Sequence, residues 1–250
     1  MTRIVNNCVA LVCLCLFWGQ SLRAADASHS EQIKWGNESV FNEEHNTLGL
    51  FSGVLGGQIV LAGGTSDDYS RWGRNAVCLS ENAGFALYED VLPKPLAYGA
   101  SITLSDGILC IGGRDSSQCY KDVFLVTMQQ GKLNVSEDWP PLPFPLSNAA
   151  GALLDNKVYL FGGRKSVSPS RLSDSFFVLD LSNKSRGWKE LPGYPGCVRE
   201  DAILVVQNNG VSPCLYLLGG QTETEEGLSS CLTDGYVYNP QLGKWSSLGS

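Results

Sequence analysis

Residues 92–113 read LPKPLAYGASITLSDGILCIGG, and residues 142–163 read LPFPLSNAAGALLDNKVYLFGG. In both stretches a proline-bracketed turn leads into two apolar runs joined by a short polar turn, and the second run ends at paired glycines. Each run has the length and the Val, Ile, Leu or Tyr content of a β-strand, so each pair of runs predicts an antiparallel hairpin. The sequence therefore uses one structural unit at least twice.

Paired glycines in fact end four apolar runs, at intervals of 49, 50 and 57 residues: IVLAGG (59–64), ILCIGG (108–113), VYLFGG (158–163) and LYLLGG (215–220). After each of the last three pairs come an aspartate, a further strand-like run and then a tryptophan (Trp139, Trp188 and Trp245). We expect these pairs at the end of an inner strand, where neighbouring sheets converge, a side chain would collide and a positive φ is favoured; glycine meets both demands. We expect each tryptophan to cover the wide outer gap between adjacent sheets.

Each unit of about 50 residues thus holds roughly four short strands, which is typical of the blade of a kelch-type β-propeller. The sequence predicts an all-β fold with about four blades, at approximately 47–93, 94–143, 144–193 and 194–250. The alternative is a sandwich or barrel in which four double glycines occur by chance.

Residues 1–24 have the layout of a secretory signal peptide. Arg3 precedes the apolar run 9–18, and small residues follow at Ala24 and Ala25. The run is shorter than the ~20 residues of a membrane span, and no other stretch approaches that length. We expect a periplasmic or secreted protein that is not inserted in a membrane after signal removal. A buried N-terminal helix is the alternative.

Composition argues against several classes of function. The formal charge is 18 − 25 = −7 without a basic run, so nucleic acid is not an expected partner. The two histidines, His29 and His45, precede the repeats, which argues against Ser-His-Asp or Cys-His catalysis and against a histidine-rich metal centre. Six cysteines follow the signal and contain no C-x-x-C pair; disulfides and free buried thiols both stay open. The cysteines are Cys78, Cys110, Cys119, Cys197, Cys214 and Cys231.

Three motifs follow one another along the chain: Phe51-Ser-Gly-Val54, then Ala97-Tyr-Gly-Ala-Ser101 and later the P-G-x-x-R stretch at 195–199. In this order they resemble the sialic acid (N-acetylneuraminate) mutarotase family in its cyclically permuted branch. The resemblance extends from about residue 33 to residue 250. Segment 25–46 contains Gln32-Ile-Lys-Trp35, which resembles the outer strand that closes the last blade in this branch.

The family has six blades, so the resemblance implies an incomplete ring here. We expect either a fragment of a longer protein, which we favour, or association with another chain that supplies the missing blades. The glutamate and arginine proposed as the family's catalytic pair lie in an absent blade. Gln221 follows the fourth double glycine, and no matching pair follows it. No catalytic residue is therefore assigned, and we expect this chain alone to show little or no activity.

The resemblance implies an exported isomerase that interconverts the α and β anomers of N-acetylneuraminate or a related keto-sugar acid. One base, one acid and one cation for the carboxylate would suffice, without metal or redox cofactor. The alternative is a non-catalytic kelch module that binds a protein or glycan. The absence of histidine after His45 disfavours a galactose-oxidase-like copper site, and the absence of repeated S-x-D-x-G-x-T-W turns disfavours a sialidase.

Three residues are candidates for substrate binding. Arg199 could hold a carboxylate in the central channel, the Tyr98 hydroxyl could reach that channel, and Arg114 could line its mouth. Each has a structural alternative. Arg199 could instead hydrogen-bond loop carbonyls, Tyr98 could pack in the core, and Arg114 could lie in a solvated loop. Asp67, Asp68 and Tyr69 follow the first double glycine, where ligand loops or simple turns are expected. The acidic patch of Glu223, Glu225 and Glu226 is interpreted as a solvated loop, since it would repel an anionic sugar.

Overall fold

The structure is a computed structural model that describes residues 48–80, 84–224 and 227–248. The expected signal peptide and the expected closing strand near Trp35 lie outside these residues. Twenty strands are described: β1 (Phe51–Leu55), β2 (Gln58–Ala62), β3 (Ala76–Ser80), β4 (Gly84–Tyr88), β5 (Ala100–Thr103), β6 (Ile108–Ile111), β7 (Val123–Gln129), β8 (Lys132–Ser136), β9 (Ala150–Leu154), β10 (Lys157–Phe161), β11 (Arg164–Ser166), β12 (Arg171–Leu172), β13 (Phe176–Asp180), β14 (Lys189–Leu191), β15 (Ile203–Asn208), β16 (Pro213–Leu218), β17 (Gln221–Glu223), β18 (Ser229–Cys231), β19 (Gly235–Asn239) and β20 (Lys244–Ser247).

Sixteen of these strands form four antiparallel sheets of four strands each. Their orders are β1-β2-β3-β4, β5-β6-β7-β8, β9-β10-β13-β14 and β15-β16-β19-β20, and we call them blades 1 to 4. The strands β11–β12 and β17–β18 form small hairpins in the loops that follow the third and fourth double glycines. The first strands of the blades lie side by side in the order β1, β5, β9 and β15, which makes them the inner strands around a shared axis. The predicted all-β, four-blade propeller arrangement is confirmed.

Three hydrophobic clusters join successive blades. Phe51 and Ile108 belong to the cluster between blades 1 and 2, and Leu109 and Leu160 to the one between blades 2 and 3. The cluster between blades 3 and 4 is largely aromatic and includes Phe161, Phe176, Tyr194, Tyr238 and Trp245. Each sheet therefore buries apolar side chains against its neighbour, which is the main favourable term in holding blades together.

The repeated tryptophans lie where the sequence predicted them. Trp139 and Trp188 pack against the cluster between blades 2 and 3, and the Trp188 indole donates a hydrogen bond to the Pro140 carbonyl at 3.0 Å. Trp245 lies in β20 and packs on the third cluster.

The double glycines are the junctions between blades. The second glycine of each of the first three pairs donates its N–H to a carbonyl of the next blade: Gly64 to Leu96, Gly113 to Leu146 and Gly163 to Arg199, each at 2.8 Å. The first glycine of each pair has a positive φ, 63° at Gly112. A Cβ on Gly112 would lie 2.2 Å from the Leu146 oxygen. The need for glycine is thus confirmed, but the prediction that the pairs end inner strands is wrong, because they follow β2, β6, β10 and β16, the second strand of each blade. The group that would collide with a Cβ on Gly112 is the backbone of the next blade.

The outward faces of blades 1 and 4 are apolar. On blade 1, Val54 and Ile59 share a face with Leu79 and Phe85, because directly paired antiparallel residues lie on the same side of a sheet. On blade 4, exposed residues include Ile203, Val205 and Leu218. The expectation that further blades or another chain cover these faces stays a prediction.

The six cysteines that follow the predicted signal are all free thiols in the described structure. Four are buried, whereas Cys197 and Cys231 are exposed. The sequence left disulfides and free thiols open, and the structure contains free thiols at these six positions. Within residues 48–80, 84–224 and 227–248, no helix has the length and apolar character needed to cross a membrane.

Candidate functional site at the mouth of the hub

A ladder of backbone hydrogen bonds links the blades at their inner ends. The residue two positions before each inner strand has a left-handed conformation: Gly49, Tyr98, Asn148 and Asp201, with φ of 65°, 60°, 55° and 53°. The N–H of Tyr98 donates to the Gly49 carbonyl at 2.7 Å, that of Asn148 to Tyr98 at 2.7 Å, and that of Asp201 to Asn148 at 3.0 Å. We call these four residues the hub ladder. Successive blades therefore present their ladder side chains next to one another.

A second set of equivalent positions lies beside the hub ladder. The residue directly after each double glycine forms a β-bridge with the residue just before a ladder position: Thr65 with Leu48, Arg114 with Ala97, Arg164 with Ser147 and Gln221 with Glu200. This places the side chains of Arg114 and Arg164 near the ladder.

Arg114 lies among three aromatic rings and has no carboxylate partner in the described part of the chain. Its guanidinium carbon is 4.6 Å from the ring centre of Tyr98, 5.1 Å from that of Trp72 and 5.8 Å from that of Tyr69. Its one hydrogen bond to a described residue goes to the Asp115 carbonyl at 3.4 Å. Aromatic faces stabilise the cation without using its N–H groups, so most of the five donors stay available for an anion.

Arg164 occupies the equivalent place in blade 3 but is neutralised. Its Nε donates to Glu200 at 2.9 Å, a second and shorter bond joins the same pair, and its Nη2 lies 3.0 Å from Glu223. The bond to Glu200 raises the pKa of the guanidinium. This arginine therefore orders the loops of blades 3 and 4 and leaves little positive charge for a ligand.

Arg199 is committed to the fold. It is fully buried, and its two terminal nitrogens donate to both oxygens of Asp234 at 2.7 and 2.8 Å. Further bonds go to the Gly219 carbonyl at 2.9 Å and the Tyr194 hydroxyl at 2.8 Å. Of the two roles that the sequence left open for Arg199, this geometry favours the structural one.

The Arg199–Asp234 pair makes the free energy of unfolding depend on pH in the acidic range. The bidentate bonds from Arg199 hold the pKa of the Asp234 carboxyl below its ordinary value. Because the folded-state pKa is the lower one, the stabilisation is complete above about pH 4 and is lost as pH falls through the depressed value. We expect the free energy of unfolding of the parent protein to fall more steeply below pH 4 than that of Asp234→Asn, as measured by urea unfolding at a series of pH values. Parallel curves for the two proteins would contradict this assignment.

We call the site formed by Arg114, its aromatic neighbours and the adjoining ladder side chains the mouth of the hub. Two ladder side chains, those of Asn148 and Asp201, complete it. The Asn148 amide donates to the Asp201 carboxylate at 2.8 Å. Asp201 is solvent-exposed as a residue, yet the surrounding protein partly desolvates its carboxyl and raises the pKa, against the lowering effect of the Asn148 bond. Desolvation also raises the pKa of Tyr98, whose hydroxyl lies 3.4 Å from that of Tyr69, so this phenol stays protonated at neutral pH.

The structure thus places Arg114 on the ring of Tyr98. Arg199, by contrast, contacts neither of them in the bonds described above, which go to Asp234, Gly219 and Tyr194. Of the residues after the first double glycine, Tyr69 joins the mouth, whereas Asp68 accepts bonds from Ser66 and Ser70 within its own turn. Glu223 of the acidic patch pairs with Arg164 rather than forming a free patch; Glu225 and Glu226 lie outside the described residues.

Asn148 and Asp201 were missed by the sequence reasoning. The signal was present: AYGA (97–100), SNAA (147–150) and EDAI (200–203) precede equivalent inner strands, so aligning the repeats on those strands places the three residues together. Their different side chains hid the equivalence. In the part of the chain that is described, no group of three or more His, Cys, Asp or Glu side chains is arranged to hold a metal ion.

The mouth therefore combines an available cation on an aromatic floor, a protonated phenol and a carboxyl with a raised pKa. Such a set can bind an organic anion and can move a proton on it.

Parts of the chain are similar to known proteins. Residues 139–250 match the family model described as N-acetylneuraminate epimerase. The chain is 30% identical over 117 residues to an N-acetylneuraminate epimerase of Yersinia pestis (strain Pestoides F), and 31% identical over 113 residues to one of Haemophilus influenzae (strain PittEE). These matches cover 46% and 45% of this chain, and 27% of each relative. The chain thus matches about a quarter of the length of these curated relatives.

A Kelch domain-containing protein of Vibrio cholerae is 32% identical over 110 residues, which is 44% of this chain and 28% of that protein. Among solved structures, that of YjhT superposes with a TM-score of 0.61 at 13% identity, covering 80% of this chain and 68% of that chain. At this identity the superposition establishes the fold alone. The matched region includes Asn148, Arg164 and Asp201, while Tyr98 and Arg114 precede it. The chain is a kelch-type β-propeller whose residues 139–250 are similar to the N-acetylneuraminate epimerase family, as the sequence motifs indicated.

Proposed function

We propose that the whole protein is an isomerase that speeds the interconversion of the α and β anomers of N-acetylneuraminate at the mouth of the hub. We further propose that it acts in the periplasm or outside the cell after removal of residues 1–24. The observation that carries the enzymatic proposal is the Arg114 guanidinium, which lies on three aromatic rings without a carboxylate partner among the described residues. Relatives named N-acetylneuraminate epimerase support the choice of sugar.

The chemistry of the sugar matches the groups at the mouth. N-acetylneuraminate is a cyclic hemiketal with a carboxylate on its anomeric carbon. A guanidinium can bind a carboxylate through two parallel hydrogen bonds, and this would fix the anomeric carbon beside Arg114. The Tyr98 hydroxyl can then donate a hydrogen bond to a sugar oxygen. Anomerisation is spontaneous in water, so a correctly placed proton-transfer group is sufficient for catalysis.

The direct test is one-dimensional proton NMR of freshly released α-anomer with and without the whole protein. We expect equilibration at micromolar protein to be faster than the spontaneous reaction at the same pH. An unchanged rate would overturn the isomerase.

Arg114→Gln is expected to weaken binding of N-acetylneuraminate by about 10- to 100-fold, because a hydrogen-bonded charge contributes roughly 1.5–3 kcal/mol. Isothermal titration calorimetry measures this loss. The methyl ester of the sugar should bind parent and variant about equally, since it lacks the anionic group. Lys132→Gln removes the same charge from the exposed outer strand β8 and is the matched control. Equal affinity of the acid for the parent and Arg114→Gln would exclude Arg114 as the carboxylate ligand.

A non-catalytic kelch module that binds a protein or glycan is the second candidate, since the Arg114 guanidinium on its aromatic rings could bind an anion without any proton transfer. The two measurements separate the candidates. Arg114-dependent binding with no change in the NMR rate would support the binding module and not the enzyme.

A further inference from the structure

We propose that Asp201 is the catalytic residue that takes the proton from the anomeric hydroxyl and returns it to the ring oxygen, and that Asn148 is its positioning residue. The inference rests on the proposed function and assigns the chemical step within the same site.

The first argument is placement. Asp201 is the blade 4 member of the hub ladder, so its backbone is fixed by the bond from its N–H to the Asn148 carbonyl at 3.0 Å. The Asn148 amide bonds to Oδ1 of Asp201 at 2.8 Å. No bond from a described residue is made to the other carboxylate oxygen, and Asp201 is solvent-exposed. One oxygen is therefore held while the other is left without a described partner, and Arg114 is within electrostatic reach of this carboxyl.

The second argument is the charge around this carboxyl. Desolvation is the main cause that raises the pKa of Asp201; the Asn148 bond lowers it, Glu200 raises it further, and Arg164 and Arg114 lower it. Tyr98, on blade 2, is also within electrostatic reach of Asp201. Since Glu200 is tied to Arg164, Asp201 is the carboxylate of this group that is not neutralised by an ion pair. A carboxyl whose pKa is raised toward the working pH is suited to both taking and returning a proton.

The proposed step balances on one residue. The Asp201 carboxylate takes the proton of the anomeric O–H, and the electron pair of that bond forms the C=O bond of the ketone. The bond between the anomeric carbon and the ring oxygen breaks, and this oxygen takes the proton back from the Asp201 carboxylic acid. Rotation of the open chain about the bond next to the ketone presents its other face, and the reverse steps close the ring to the other anomer. Both oxygens are attached to the same carbon, so one carboxyl can reach both.

The test is Asp201→Asn in the whole protein. Asparagine has nearly the same shape, can accept the Asn148 bond and tolerates a left-handed φ, so the ladder should persist. We expect the NMR anomerisation rate at saturating sugar to fall by about 100-fold or more, the usual contribution of a general acid-base group. Calorimetric affinity for N-acetylneuraminate should change by less than about threefold, because binding is assigned to Arg114. Asp106→Asn, in the exposed β5–β6 turn, is the control and should keep the parent rate.

The pH profile tests the positioning role of Asn148. The parent rate should rise with pH as Asp201 ionises, and Asp201→Asn should lose this rise. Asn148→Ala removes a hydrogen bond that lowers the pKa of Asp201, so the midpoint should move to higher pH. A merely structural role for Asn148 would lower the rate without moving the midpoint and would overturn that assignment.

The outcomes distinguish the two proposals. If the parent does not accelerate anomerisation, the proposed function fails and the role of Asp201 fails with it. If the parent is active and Asp201→Asn retains its rate, only the inference about Asp201 is overturned. A loss of rate that is matched by the same loss of affinity would also overturn it, since Asp201 would then be a binding group.

Discussion

Gly112→Ala is expected to lower the free energy of unfolding by at least about 3 kcal/mol, because two penalties add at this position. The φ of 63° is disfavoured for a residue with a Cβ. The new Cβ would also lie 2.2 Å from the Leu146 oxygen, which already accepts the N–H of Gly113. Relief of that contact would require blades 2 and 3 to move apart, and this would disturb the cluster that joins them. Urea unfolding followed by circular dichroism measures the change.

Gly131→Ala is the matched control for this prediction. Gly131 has a φ of 74° in the β7–β8 turn, and a Cβ there would meet nothing within 4 Å. Only the backbone penalty of about 1–2 kcal/mol applies. Equal losses for the two variants would show that conformation alone, and not the junction between blades, requires glycine at position 112.

Arg199→Met is expected to lower the free energy of unfolding by about 3 kcal/mol, since a fully buried side chain that donates several hydrogen bonds is lost and its buried acceptors are left unsatisfied. The side chain is fully buried, and its loss would leave Asp234, the Gly219 carbonyl and the Tyr194 hydroxyl without their common donor. In a protein of this size the melting temperature should fall by roughly 6–12 °C. Differential scanning calorimetry provides the measurement.

Arg114→Met is the control, because the same change is made at an arginine that is not ion-paired to any described residue. We expect a smaller loss of about 1–2 kcal/mol, because the change removes contacts with aromatic rings but breaks no ion pair to a described residue. Arg199→Lys should recover only part of the loss, since lysine cannot form the two parallel bonds to Asp234. A stable Arg199→Met protein would mean that the pair is dispensable to the fold.

The architecture could be derived from the sequence because its determinants are local. The double glycine before Arg114 marks a backbone contact between two blades, and the spacing of the double glycines predicts the number and length of the blades. Arg114 and Tyr98 were found because they adjoin these repeated motifs. The roles of Arg199 and Arg164 could not be separated in this way, because Asp234 lies 35 residues from Arg199 and Glu200 lies 36 residues from Arg164. Only the fold decides which arginine is neutralised.

The hub ladder has a consequence for how new activities can arise on this scaffold. The blades are joined there through N–H and C=O groups, which every residue except proline supplies, so a substitution on the ladder does not remove the bond between blades. The left-handed backbone nevertheless favours glycine, asparagine and aspartate, which are the residues that tolerate a positive φ most readily. Two of these three carry a carboxylate or an amide. Selection for an unstrained axis therefore supplies reactive groups at the centre of the molecule before any ligand is involved, and evolution can exchange them while the propeller stays intact.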